Sequence, residues 1–145
     1  ILDDDQAKQI VIHFLAAQLK NQNGMCMGFV IMPDHVHVMV HFQDSGVLSV
    51  FMNQWKRRSS MQLKQLYKAK LTNYVAKIDL EKSMWQPKYY DFNIFSESKA
   101  IEKLTYMHLN PVKSGLVDRP ENWKFSSARF YLLNKPTGVP ITKIL

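Results

Sequence analysis

The chain has one cysteine, no apolar run of membrane-spanning length, no internal repeat and no low-complexity tract. Each absence removes a class. Cys26, alone between Met25 and Met27, cannot close an internal disulfide. A disulfide-stapled scaffold is therefore excluded, and a reducing, cytoplasmic setting is expected. A membrane helix needs roughly 20 consecutive apolar residues. Nothing here approaches that, so no membrane role is expected. The sequence opens Ile-Leu-Asp-Asp-Asp without a methionine or signal peptide, and residues are expected to have preceded Ile1. No shift in composition marks a boundary, so the 145 residues read as one domain, long enough to bury a core. What is present is a core-forming share of apolar residues, 46%, and a formal charge of +7 with a pI near 9.5. That balance favours a polyanionic partner.

The pattern predicts a helix over about Asp3–Lys20, with Ile10, Phe14 and Ala17 on one side and aspartates at its positive end. Asn21–Gly24 break it. Met25–Met32 reads as a buried strand, Pro33-Asp34 as a turn, and His35–Phe42 as the returning strand of an antiparallel hairpin. A second helix is expected over about Leu48–Tyr67, then a polar connection over residues 68–84. Trp85–Phe95 reads as a further strand. Ser96 caps a third helix that should end at Asn110-Pro111, since proline disfavours helical geometry in the residue before it. The rest, with Pro120, Trp123 and Ser126-Ser127, reads as a packed tail. The implied class is an α+β sandwich with helices on one face of the sheet.

Within MPDHVHVMV, side chains alternate across the strand. Val36, Val38, Val40 and Phe42 share an apolar face. His35, His37, Met39 and His41 share the other. Residues i and i+2 on a strand lie roughly 6.5–7 Å apart, so His35 and His37 can converge on one metal ion. Histidines on a strand are also commonly structural, and the strand alone leaves both readings open. His41 is roughly 20 Å from His35, too far to join them.

Two protein ligands rarely suffice. On a wheel of the third helix, Ala100, Ile101, Leu104, Met107 and His108 form the buried arc, while Lys99, Glu102, Lys103, Tyr106 and Asn110 form the polar one. An amide oxygen at Asn110 can ligate a metal, and a phenol one turn earlier can be a nucleophile. His13 and His108 read as structural.

MPDHVHVMV, Trp85-Gln86 followed by Tyr89-Tyr90-Asp91, and TYMHLNPVKSGLV together resemble the REP-associated tyrosine transposases. These belong with the insertion-sequence-200-type single-tyrosine transposases of the HUH (histidine–hydrophobic–histidine) nucleases. The resemblance runs in order over nearly the whole chain, including the Trp123–Ser127 tail. It implies a ferredoxin-like sandwich whose antiparallel sheet carries the HxH strand, and a single transposase-like catalytic domain over residues 1–145. It also implies His35, His37 and Asn110 as ligands of Mg²⁺ or Mn²⁺, and Tyr106 as the nucleophile that cuts single-stranded DNA and keeps a 5′-phosphotyrosine for strand transfer. Relatives often carry glutamine where Asn110 stands and histidine where Phe92 stands, and they begin with a strand that this sequence does not supply.

The implied partner is single-stranded or hairpin DNA, bound by a monomer or a homodimer. Lys56, Arg57, Arg58 and Lys103 are candidate phosphate contacts, and Trp85 and Tyr89 candidate stacking platforms. A charged run more often marks a solvated helix face, and a strand aromatic more often packs in the core. The rival function is a domesticated, non-catalytic binder of single-stranded nucleic acid, which would have no use for His35, His37, Tyr106 and Asn110 together.

Overall fold

A computed structural model describes residues 2–70 and 85–145. Helix α1 (Asp5–Asn21) starts at Asp4, whose carboxylate accepts from the Gln6 amide at 2.7 Å. Strands β1 (Met25–Ile31) and β2 (His35–His41) form the expected antiparallel hairpin. Helix α2 (Val47–Lys70), strand β3 (Gln86–Asp91) and helix α3 (Glu97–Lys113) follow, and the short helix α4 (Ala128–Leu133) lies in the tail. Of the expected polar connection, 68–70 belong to α2 and 71–84 lie outside the described residues. The strand expected to reach Phe95 stops at Asp91 and turns into a 3-10 segment, Phe92–Ile94.

The fold is α+β, but the sheet, three-stranded among the described residues, is mixed rather than antiparallel. The order is β1-β2-β3, and β3 runs parallel to β2, with His37 beside Lys88 and Met39 beside Tyr90. A helix lies between β2 and β3 in sequence, and a strand–helix–strand crossover delivers the second strand parallel to the first.

Helices also cover both faces of the sheet rather than one. Against Val36, Val38 and Val40 pack Val11, Leu15 and Leu19 of α1 and Phe51, Trp55 and Leu63 of α2. The buried stripe of α1 thus runs through Val11, Leu15 and Leu19; Ile10 and Phe14 form its half-buried shoulder. Trp55 donates its indole N–H to the Val11 carbonyl at 2.9 Å, pinning α2 to α1. On the histidine face, Met27, Val30 and Met39 are as apolar as the valines opposite, and Ala100, Leu104 and Met107 of α3 cover them.

Gly28 sets how closely α3 can approach. A Cβ there would run into Leu104 Cδ1, so any larger residue makes the Leu104 side chain or the helix shift. Helix α3 runs through Asn110-Pro111 instead of ending there. Its last turn is held from beyond the proline, by Ser114 N–H to the Asn110 carbonyl (3.0 Å) and Leu116 N–H to the Pro111 carbonyl (2.9 Å).

The two edges of the sheet differ. Along β1 the tail is hydrogen-bonded: Ile31 N–H to Phe125 O, Ser127 N–H to Phe29 O and Thr142 N–H to Cys26 O, all at 2.8–2.9 Å. Trp123 and Tyr131 add side-chain bonds to the Ile31 and Met27 carbonyls. Among the described residues, strand β3 is the other edge.

Candidate functional site

The strand's alternation and the low seat of α3 bring three sequence-predicted side chains to one point. His35 Nε2 and His37 Nε2 are 3.0 Å apart, and the Asn110 amide nitrogen is 3.2 Å from His37 Nε2. A half-turn of the amide puts its oxygen where the nitrogen stands. His35 remains partly exposed, while His37 is buried beneath α3. The histidine face is therefore the floor of a covered site, not an open sheet surface.

The electrostatics follow from that burial. Burial first, then the neighbouring His35 and Lys88, push the His37 imidazole down to about 4. It is neutral at physiological pH, so a lone pair is free for coordination without proton release. His35 is oriented from outside: its Nδ1 donates to the Asp34 carboxylate at 2.6 Å, and that bond holds the Asp34 carboxyl below its ordinary range. With Nδ1 carrying the proton, Nε2 presents its lone pair inward, as in carboxylate–histidine–metal arrangements.

Among the described residues, no three His, Cys, Asp or Glu side chains gather in a way that could hold a metal. The candidate donor set is instead two imidazoles and an amide. It suits a divalent cation. Two nitrogens each about 2.1 Å from a shared ion and at right angles to it are about 3.0 Å apart, the separation His35 and His37 already have. Two nitrogen donors and one oxygen donor favour Mn²⁺ over Mg²⁺. Among the described residues, the Nδ1 of His37 is buried without a hydrogen-bond partner, so its tautomer is set from the other nitrogen, by which end of the Asn110 amide faces Nε2.

Tyr106 sits one turn before Asn110 on α3, 49% exposed. Lys113, two turns on, places its ammonium 4.4 Å from the centre of the Tyr106 ring. Tyr90 faces the same side, with Lys103 Nζ 5.8 Å from its ring. Burial, and secondarily Tyr106, raise the Tyr90 phenol above its ordinary value. An exposed phenol beside a cation and a metal-competent cluster can do nucleophilic chemistry on a phosphate.

The nucleic-acid candidates separate. Lys103 lies on the Tyr106 side. Tyr89 points to the opposite face of β3, where it lines a cleft with Lys56. Arg57 and Arg58 are exposed on α2, with Arg58 Nε 3.4 Å from Gln54 Oε1. Trp85 is corrected outright. It is buried against Trp55, ring centres 4.8 Å apart, and offers no face to a base. Sequence reasoning missed Asp34, Lys88 and Lys113. Asp34 adjoins the HxH, and Lys113 falls two helical turns after the tyrosine, so both left a signal. Lys88 is found only from the parallel register. His108, read as structural, is buried with Nε2 2.7 Å from Ser127 Oγ.

No solved structure matches the chain. A provisionally named REP-associated tyrosine transposase of Haemophilus influenzae is 24% identical to it over 102 residues, 67% of this chain and 54% of the relative. The match thus spans about half of that relative's length. The family model described as "Transposase IS200 like" matches residues 1–108, which takes in His35, His37 and Tyr106 and stops just before Asn110. With most of its length matched, site strand and tyrosine helix included, the chain belongs to the IS200-like transposase family.

Proposed function

We propose that the chain is a metal-dependent single-stranded DNA endonuclease and strand transferase working through a 5′-phosphotyrosine on Tyr106. One observation carries this reading: two imidazole nitrogens and the Asn110 amide converge one helical turn from an exposed tyrosine. A binder that only stacks bases has no need of that convergence.

His35, His37 and Asn110 would hold Mg²⁺ or Mn²⁺. When bound, the ion polarises the scissile phosphate and steadies charge on the leaving oxygen. The Tyr106 phenol gives its proton to solvent as its oxygen attacks phosphorus, and the P–O3′ bond breaks, the 3′-oxygen drawing its proton from solvent in turn. The 5′-phosphate stays on the phenol. Lys113, poised over the ring, can meet a non-bridging phosphate oxygen. Because the tyrosyl phosphodiester retains the bond energy of the original linkage, a later 3′-hydroxyl can attack it and rejoin strands without ATP. Lys88 and Lys103 flank the approach and would take flanking phosphates of single-stranded or hairpin DNA.

The test is incubation with labelled single-stranded oligonucleotides and Mn²⁺, scored on denaturing gels for cleavage and a covalent protein–DNA band. Tyr106→Phe should abolish both, yet change binding by less than about 1.4 kcal/mol, because only a hydroxyl is lost. His35→Ala, His37→Ala and Asn110→Ala should slow cleavage, with partial rescue by excess Mn²⁺. A covalent band from Tyr106→Phe would place the nucleophile elsewhere.

A further inference from the structure

Strand β3 addresses its two faces to different places. Lys88 and Tyr90 stand beside His37 and Met39 on the site face; Pro87 and Tyr89 stand beside Val36 and Val38 on the other. There Pro87 and Tyr89 form one wall of a cleft of about 360 Å³, whose opposite wall is α2. The α2 residues are Leu48, Ser49, Met52, Asn53 and Lys56, which recur at the spacing of one helix face. The volume lies in the lower part of the range that takes a small ligand.

Its chemistry is specific. Tyr89 is 51% exposed although it belongs to a sheet strand, so its ring is open for stacking. Met52 and Pro87 give an apolar floor. Among the described residues, Ser49 and Asn53 are exposed at the rim with side chains that make no hydrogen bond, and Lys56 is the lining's one cation. No carboxylate among the described residues lines the cleft. A flat ring to stack on, neutral donors and acceptors beside it, and a single ammonium match a nucleobase with its phosphate.

We propose, resting on the single-strand reading above, that this cleft holds one unpaired nucleotide of the strand cut at Tyr106, stacked on Tyr89 and contacted at its phosphate by Lys56. The site face and the cleft meet at the edge of β3. A strand passing over that edge covers about 10 Å, the spacing of packed layers. At a rise of about 3.4 Å that is about three nucleotides, and fewer if the strand is extended. The cleft therefore takes the base two or three positions from the scissile phosphate, and Asn53 is placed to discriminate among bases there.

The experiment uses Tyr106→Phe protein, so that nothing is cut. The probe is an oligonucleotide whose adduct with the unmodified protein has located the cut, with 2-aminopurine placed in turn at each of the nearest positions. Emission should fall several-fold at two or three nucleotides from the cut. Adding Tyr89→Ala should abolish the fall, and adding Tyr89→Phe should keep it. Equal quenching with Tyr89→Ala, or a response only next to the cut, overturns the proposal. A thymidine 12-mer with a central 2-aminopurine asks nothing of cleavage and separates the two readings. Tyr89-dependent quenching with no adduct on any substrate would sink the nuclease and keep the cleft. An adduct without Tyr89-dependent quenching would sink the cleft alone.

Discussion

His35 has both ring nitrogens engaged, Nδ1 by Asp34 and Nε2 by His37. That makes Asp34 a positioning residue with a measurable role. Asp34→Ala should lower Mn²⁺ affinity about tenfold, the lower end for outer partners of metal ligands because this carboxylate is exposed. Titration calorimetry checks it, and affinity within twofold of the parent would deny the role. His108 carries a different prediction. Burial pushes its imidazole down to about 4, against about 6.5 in an unfolded chain. The unfolded state therefore takes up the proton first. Stability from this group is complete above about pH 6.5 and declines as pH falls toward 4, by up to about 3 kcal/mol. His37 is lowered similarly, so in metal-free protein both imidazoles link proton uptake to unfolding in that window. In His108→Gln this group's share is lost, which lowers the pH slope of the unfolding free energy in urea titrations. An unchanged slope would mean that His108 is charged when folded.

Helix α3 is the element that turns a strand motif into a site, and Gly28 governs its seat. In Gly28→Ala the new methyl meets Leu104, which is fully buried and has no solvent to move into. Overpacking of this kind costs about 1–3 kcal/mol. Leu104→Ala alone should cost about 2–5 kcal/mol. The double variant should lose clearly less than the sum, because the truncation removes the clash. Additive losses in denaturant melts would deny the contact. The hairpin, both faces of β2 and the wheel of α3 were legible in the sequence because period 2 and period 3.6 are local patterns. The parallel pairing of β3 was not, since a strand's partner is set by the crossover and not by the strand's own residues. For the same reason Lys88 beside His37 was invisible, and Tyr89 could not be assigned to the face away from Tyr90's neighbours. Trp85 misled because an aromatic at a strand's start reads alike whether it meets a base or, as here, Trp55. Pro111 misled because the bonds that carry α3 past it come from Ser114 and Leu116, beyond the motif.

At the scale of the whole molecule, part of the excess charge of +7 is gathered beside the site. Lys88, Lys103 and Lys113 gather around the Tyr106 face, whereas Arg57 and Arg58 project from exposed positions of α2. A lysine that neutralises a phosphate releases a counterion, so the logarithm of affinity falls with the logarithm of salt by about 0.7 per contact on a single strand. A cation that only adds to the general field changes affinity with little effect on that slope. Lys88→Gln, Lys103→Gln and Lys113→Gln should therefore each reduce the slope by about 0.7, and Arg57→Gln should leave it nearly unchanged. The measurement is fluorescence anisotropy of a labelled single strand with Tyr106→Phe protein, repeated from about 50 to about 200 mM salt. If Arg57→Gln lowered the slope and the three lysine changes did not, the strand would run along α2. The assignment of the Tyr106 face as the phosphate track would then fall, even with the histidine cluster intact.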